Sequence, residues 1–180
     1  MSHAEPRFQL IPPVQAEDHC QGGSEASVTL VEYGDYACVN CVEAYELIQS
    51  IQMQFAPVCF VFRHFPCLDR HPTAQHAAEA AEAAGAQGKF WEMHDRLMRH
   101  RHCFDDASLI EHAVALELDI NRFLREMSSD VYVPRVRRDC ESGEKSGVIC
   151  TPTFFINGLR FTGDWQHSAL RSAICEQVSR

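Results

Sequence analysis

Cys38-Val39-Asn40-Cys41 places two thiols three positions apart, where a strand-like run gives way to a helix-like one. Residues i and i+3 share a helix face, about 5–6 Å apart at Cβ, and a disulfide tolerates that separation. A thiol at the helix tip meets unpaired backbone N–H groups and the positive end of the dipole. Both favour thiolate, so Cys38 is expected to have a lowered pKa and to act as nucleophile. Cys41 lies one turn in, on the inward face. It is expected to be shielded and to resolve a mixed disulfide formed at Cys38.

Other residues bear on that chemistry. Glu32 precedes Cys38 by six residues and by strand alternation shares a face with Val28 and Leu30. A carboxylate among apolar neighbours has a raised pKa, which would let it take the Cys41 proton. Asp35 reads as a turn-forming residue. Thr151-Pro152 opens a later strand, where proline is sterically allowed. A cis bond there would lay the Thr151 backbone beside the thiols and offer N–H and C=O to an extended peptide.

Composition sets outer limits. The chain has 180 residues, 46% of them apolar, which suits one domain with an insertion. Its formal net charge of −9 argues against nucleic acid and anionic membrane surfaces as partners. No run is apolar enough to span a bilayer. Met1 to Pro13 lacks a charged region and an apolar region of the signal-peptide kind, and read as the native start it predicts a cytoplasmic protein. Nine cysteines are scattered along the chain, so at least one stays outside any intrachain pairing. Most read as small buried hydrophobes, Cys59 above all, inside Val58-Cys59-Phe60-Val61-Phe62.

The elements that must position the thiols follow from periodicity. Residues 1–26, with Pro12-Pro13 and Gly22-Gly23, read as irregular. Val28 to Tyr33 is a buried strand. Cys41, Ala44, Tyr45, Ile48, Ile51 and Phe55 form the inward stripe of a helix ended by Pro57. Val58 to Phe62 is a second strand, parallel to the first in a right-handed βαβ unit. Residues 72–146 read as helices: a Thr73–Ala84 run with Pro72 in its first turn, then stripes at 90–98, 109–116 and 120–127. Asp119 is an N-cap, and a further helix begins at Pro134. Asn157-Gly158 joins Thr153–Ile156 to Leu159–Thr162 as a hairpin, and a last helix runs from His167 to Val178.

The order β-α-β, helices, β-β-α resembles an α/β thioredoxin fold with an inserted helical domain, the context that gives a CxxC its meaning. The expected divisions are an irregular segment 1–26, a thioredoxin domain of 27–66 plus 147–180, and a helical domain of 67–146. The motifs Val31-Glu32-Tyr33-Gly34-Asp35-Tyr36, Phe62-Arg63-His64-Phe65-Pro66, His71-Pro72, Gln87-Gly88-Lys89-Phe90-Trp91 and Thr151 to Gly158 sharpen the likeness. Over residues 28–178 the chain resembles DsbA-like thiol–disulfide oxidoreductases of the thioredoxin superfamily. That resemblance implies Cys38 as nucleophile, Cys41 as resolving thiol, Glu32 as buried acid and Pro152 as a cis-proline beside Thr151. It departs from the family where Val39 and Asn40 replace proline and an aromatic or histidine, and where Cys150, Cys67 and Cys140 stand in unusual places. Neutral Asn40 predicts a weaker oxidant than DsbA, between roughly −120 and −270 mV.

The partners expected are cysteine-containing proteins or peptides and a thiol redox partner such as glutathione or a reductase. No cofactor is expected. Two rivals remain. A zinc site could use Cys38, Cys41 and some of ten histidines, among them the His100-Arg101-His102-Cys103 stretch. Structural zinc wants a second well-spaced pair, and none follows. A redox-sensing or chaperone-like binding module is the other, favoured only by the number of cysteines.

Overall fold

The computed structural model describes residues 8–23, 26–55, 58–166 and 168–178. Among them, in chain order, are β1 (His19–Gln21), β2 (Val28–Gly34), α1 (Val39–Gln54) and β3 (Val58–His64). Five helices follow: α2 (Ala74–Gly85), α3 (Phe90–Arg99), α4 (Asp106–Ala115), α5 (Ile120–Ser128) and α6 (Val133–Lys145). The chain closes with β4 (Thr153–Ile156), β5 (Leu159–Arg160) and α7 (Ala169–Val178).

The five strands form one sheet in the order β1-β3-β2-β4-β5. β2 and β3 are parallel, with Glu32 opposite Phe62, as a βαβ crossover through α1 requires. β4 runs antiparallel to β2, which sets Glu32 opposite Phe154 and Tyr33 opposite Thr153. The central strands are buried on both faces, as their continuous apolar sequence demands. One face packs Val28, Leu30, Phe60 and Phe62 against Cys41, Ala44, Ile48 and Ile51 of α1 and Leu170 and Ile174 of α7. The same core continues without a break into Ala77, Ala81, Met93, Leu97, Leu109 and Phe123 of the intervening helices. The other face holds Val31, Tyr33, Val61 and Phe155, closed by Leu10 and Val148.

The hairpin turns on Asn157 (φ 48°) and Gly158 (φ 78°), both left-handed, so the Asn-Gly pair acts as its chemistry dictates. Asn157 Oδ1 also accepts from Thr29 N–H at 2.8 Å, tying the turn to β2. Asp119 caps α5 by accepting from Arg122 N–H at 2.9 Å.

Several expectations give way. The N-terminal segment is not irregular throughout: β1 pairs antiparallel with β3, and Leu10 enters the core. Cys59 is not a lone buried thiol but is disulfide-bonded to Cys20 of β1. Pro72 precedes the Thr73 N-cap rather than lying in the first turn of α2. β5 stops at Arg160, two residues short of the expected strand. Leu124, placed on an inward stripe, is 41% exposed. The expected helix stop at Pro57 and start at His167 lie outside the described residues.

Arg63 is the polar joint of the structure. It is 2% exposed, yet its guanidinium is fully employed. Nε and Nη2 donate to Asp18 at 3.0 and 2.7 Å, and the remaining N–H groups reach the Pro12 and Pro13 carbonyls, Tyr33 Oη and Ser142 Oγ. One side chain thus binds β3, the N-terminal segment and α6. Replacing Arg63 with Met would leave the buried Asp18 carboxylate only the Gln15 N–H and Arg135 at 3.8 Å, at a cost of about 3 kcal/mol. Urea denaturation of Arg63→Met should show that loss, and a change below about 1 kcal/mol would mean that the pair stabilises nothing.

Candidate active site

β2 delivers the chain to the tip of α1 through a tight turn, and the CxxC sits where strand becomes helix. Cys38 is the N-cap residue of α1, with extended backbone (φ −78°, ψ 122°). Its carbonyl accepts from Cys41 and Val42 N–H at 3.1 and 3.2 Å, so the helix starts directly beneath the sulfur. Cys38 is half-buried and Cys41 is 0% exposed, while Val39 and Asn40 face solvent. The four residues therefore present one thiol outward and hold the other in the core.

The electrostatics separate the two sulfurs. The Cys38 pKa falls from 9.0 to about 5. A hydrogen bond from the Cys41 thiol contributes most; burial opposes it, and Thr151 and the Cys41 and Asn40 backbone N–H groups add to it. The sequence pointed to the helix N–H groups alone, whereas the neighbouring thiol contributes more. Cys41 goes the other way, well above 9.0, through burial, its bond to Cys38 and the charges of Glu32 and Cys38. Cys41 at rest is an S–H donating to a Cys38 thiolate.

Glu32 lies behind the pair, 1% exposed. Burial, with the charge on Cys38 adding to it, raises its pKa to about 8, against a hydrogen bond from Cys41. Its Oε1 has no hydrogen-bond partner. Gly34 provides the space: a Cβ there would sit 2.3 Å from the Phe62 ring and 3.0 Å from Glu32 Oε1.

On the far side, the Thr151–Pro152 peptide bond is cis, and Cys38 Sγ lies 3.5 Å from the Thr151 carbonyl oxygen. Thr151 therefore lies beside the nucleophile, with Pro152 next to it across the cis bond. An open cleft of about 490 Å³ runs on from Pro152, lined by Cys150, Phe154, Phe161 and Trp165. Cys150 is a free, exposed thiol.

Asp35 does more than make a turn. Its carboxylate is buried and accepts three hydrogen bonds, from Ala37 N–H (2.8 Å), Cys67 N–H (3.0 Å) and His71 Nδ1 (2.7 Å). Its own N–H points at Cys41 Sγ at 3.4 Å, and its carbonyl accepts from Cys38 N–H at 3.1 Å. Sequence reasoning missed this role, although Asp before a CxxC and His near proline were both in view.

Among the described residues, the group of three ligand-capable side chains within 4.8 Å of one another is His64, Glu82 and Asp139, away from the thiols. Arg135 lies against both carboxylates, 3.6 Å from Glu82 and bonded to Asp139, and His19 and His64 bond Glu82 at 3.0 Å. That cluster is an ion-pair network, its cationic sites already filled by protein. His94 is buried among Tyr36, Phe62 and Trp91, and burial lowers its pKa to about 3. His100 caps α3 through a bond to the Arg96 carbonyl, and His102 lies beyond the helix.

Comparison with known proteins agrees with this geometry. A sequence model of the family described as Thioredoxin matches residues 15–176. The structure superposes on oxidised BdbD from Bacillus subtilis with a TM-score of 0.80 at 20% identity, covering 91% of this chain and 94% of that one. A thioredoxin-like oxidoreductase from Silicibacter pomeroyi gives 0.81 at 26% identity, covering 92% and 95%. The thiol-disulfide exchange protein alpha-DsbA2 from Wolbachia pipientis gives 0.74 at 21%, covering 93% and 89%. A protein named Na(+)/H(+) antiporter NhaA 1, from Salinispora arenicola, is 42% identical over 168 residues, which are 93% of this chain and 26% of that protein. The chain thus spans about a quarter of the length of the curated relatives it matches, the Herminiimonas arsenicoxydans NhaA (39% identical over 87% of the chain, 25% of that protein) included. With residues 15–176 matched by the family model and a structure that superposes on these proteins, the chain belongs to the thioredoxin family and has the architecture of DsbA-like thiol–disulfide oxidoreductases.

Proposed function

We propose that the chain exchanges the Cys38–Cys41 dithiol and disulfide with cysteine-containing proteins or peptides. The observation that carries this is the split between a Cys38 thiolate near pKa 5 and a Cys41 thiol far above 9.0. A pair with equal thiols would have no preferred point of attack.

In the reducing direction, the Cys38 thiolate attacks a substrate disulfide; one S–S bond forms, the other breaks, and a substrate thiolate leaves. Cys38 in a mixed disulfide carries no charge, so the charge that added to burial in holding Glu32 protonated is gone and Glu32 ionises more readily. Glu32 then takes the Cys41 proton. The Cys41 sulfur attacks Cys38 Sγ, the mixed disulfide breaks, and the second substrate thiolate departs. The oxidising direction is this sequence reversed.

Two observations support the oxidising direction. A thiolate stabilised in the reduced protein makes the disulfide a better oxidant. The Cys20–Cys59 disulfide supports a compartment where such bonds persist, rather than the reducing cytoplasm expected from the sequence. The exposed Asn40 brings no charge to Cys38, which supports a potential between the roughly −120 mV of DsbA and the roughly −270 mV of thioredoxin. Equilibration with glutathione measures that potential, and glutathione is the small-thiol partner we assign.

Three outcomes test the assignment. Cys38→Ser should abolish reduction of insulin, whereas Cys41→Ser should accumulate a substrate-linked species visible by mass; undiminished activity in Cys38→Ser would sink the proposal. The thiolate absorbance of the reduced protein should titrate near pH 5 and vanish in Cys38→Ser. Because folding depresses this pKa, its stabilisation of the reduced protein is full above the unfolded thiol pKa of about 8.5 and is lost as pH falls toward 5. The oxidised protein should lack that dependence. Glu32 has the opposite sign: its folded pKa is raised, so the stability it contributes at low pH is lost as pH climbs from 4.5 to about 8. Glu32→Gln should therefore be the more stable form above pH 8, yet resolve mixed disulfides on the order of 10²-fold more slowly. A resolution rate unaffected by Glu32→Gln would remove Glu32 from the mechanism.

A further inference from the structure

The loop that presents the thiols is fastened from outside the CxxC. Asp35 touches both cysteines through its backbone: its N–H reaches Cys41 Sγ, and its carbonyl holds Cys38 N–H. That backbone is fixed by the Asp35 carboxylate, which reaches forward to Ala37 N–H and across to the segment leaving β3. The fixed end there is His71. Its own N–H is bonded to the Cys67 carbonyl at 2.8 Å, and its carbonyl accepts from Ala74 N–H at 3.0 Å at the start of α2. Its ring Nδ1 lies 2.7 Å from Asp35 Oδ2, and its side chain is 27% exposed against 0% for Asp35.

We propose that His71 is a positioning residue for thiol exchange, acting through Asp35 to keep an amide donor on the resolving sulfur. This rests on the exchange reaction proposed above and concerns its second step. Attack by Cys41 needs its sulfur to carry negative charge in a site that burial makes hostile to charge. Its surroundings supply a backbone N–H from Asp35, while Glu32 and Cys38 are both anionic when charged. The amide stays on the sulfur only while the turn holds. Without the imidazole, water reaches Oδ2 from the side His71 covers. Cys67 N–H still bonds Oδ2 at 3.0 Å, but the carboxylate is then held by one donor fewer and keeps Ala37 less firmly in place. Cys38 meets substrate first, and the donors on its sulfur lie in α1 and at Thr151, so its attack does not use the Asp35 amide.

The two steps separate in stopped-flow mixing of reduced protein with oxidised glutathione. Attack by Cys38 gives a phase proportional to glutathione disulfide, and resolution by Cys41 gives a phase independent of it. His71→Ala should slow the concentration-independent phase about fivefold or more, the loss of one amide donor, and change the other phase less than about twofold. His71→Asn, whose amide nitrogen can replace Nδ1 as a donor, should recover most of the rate. It also serves if the alanine variant folds poorly. A purely structural histidine would lower the melting temperature of both variants and leave the ratio of the phases unchanged, which would overturn the proposal. So would an asparagine variant as slow in resolution as alanine. Wild-type protein inert to oxidised glutathione would remove the exchange reading itself, an outcome distinct from two normal phases untouched by His71→Ala.

Discussion

One negative charge shared among three acids is the constraint on which the site depends. Cys38, Cys41 and Glu32 form a group in which each charge raises the cost of the next. Cys38 holds the charge at rest because it alone is open to water and capped by helix N–H groups and the Cys41 thiol. Glu32 and Cys41 keep their protons because both are buried beside that anion. The same repulsion drives turnover. When Cys38 is tied into a mixed disulfide its charge disappears, and the charge can pass to Glu32 and the Cys41 sulfur. Substrate capture thus changes the protonation of groups that the substrate never touches.

The fold meets this constraint by placing the three groups on different kinds of structure. Glu32 is on a central strand, where a two-sided apolar environment keeps it dry. Cys38 is at a helix tip, and Cys41 is on that helix's buried face. Gly34 and the Asp35 turn join strand to helix in a few residues, so the acid and the thiols cannot drift apart. The cis-proline loop closes the fourth side with Thr151. The buried Arg63, opposite Tyr33 at the same end of the strands, joins Asp18, Tyr33 and Ser142 on the sheet's other face.

Local pattern revealed what local physics decides. The spacing of the cysteines, the alternation that turned Glu32 inward, the Asn157-Gly158 turn and the Asp119 cap each involve residues near in sequence, so their consequences could be read along the chain. The misses involve distant partners. Cys20 and Cys59 are 39 positions apart, and nothing in either neighbourhood announces a bond. β1 has three residues, His-Cys-Gln, too few for periodicity to register. Glu82 sits in an alanine-rich helix and looks solvent-facing until His19 of β1 and His64 of β3 are brought to it. His71 was visible as a residue, but its bond to Asp35 spans 36 positions and exists only once β3 lies beside β2.

The residues between the cysteines illustrate the same division. A charged or aromatic side chain there would act on Cys38 directly, and its absence was the basis for expecting a milder oxidant. Yet the Cys38 thiolate is held by an S–H, by Thr151 and by main-chain N–H groups, none of which depends on the side chains of Val39 or Asn40. Val39 is 49% exposed and Asn40 also faces water. The low pKa therefore comes first from the resolving thiol, with Thr151 and the main-chain N–H groups adding to it. What the intervening pair adds is surface: an apolar side chain at 39 and an uncharged polar one at 40, beside a half-buried sulfur. The strength of the nucleophile stays with the resolving thiol, Thr151 and the helix tip.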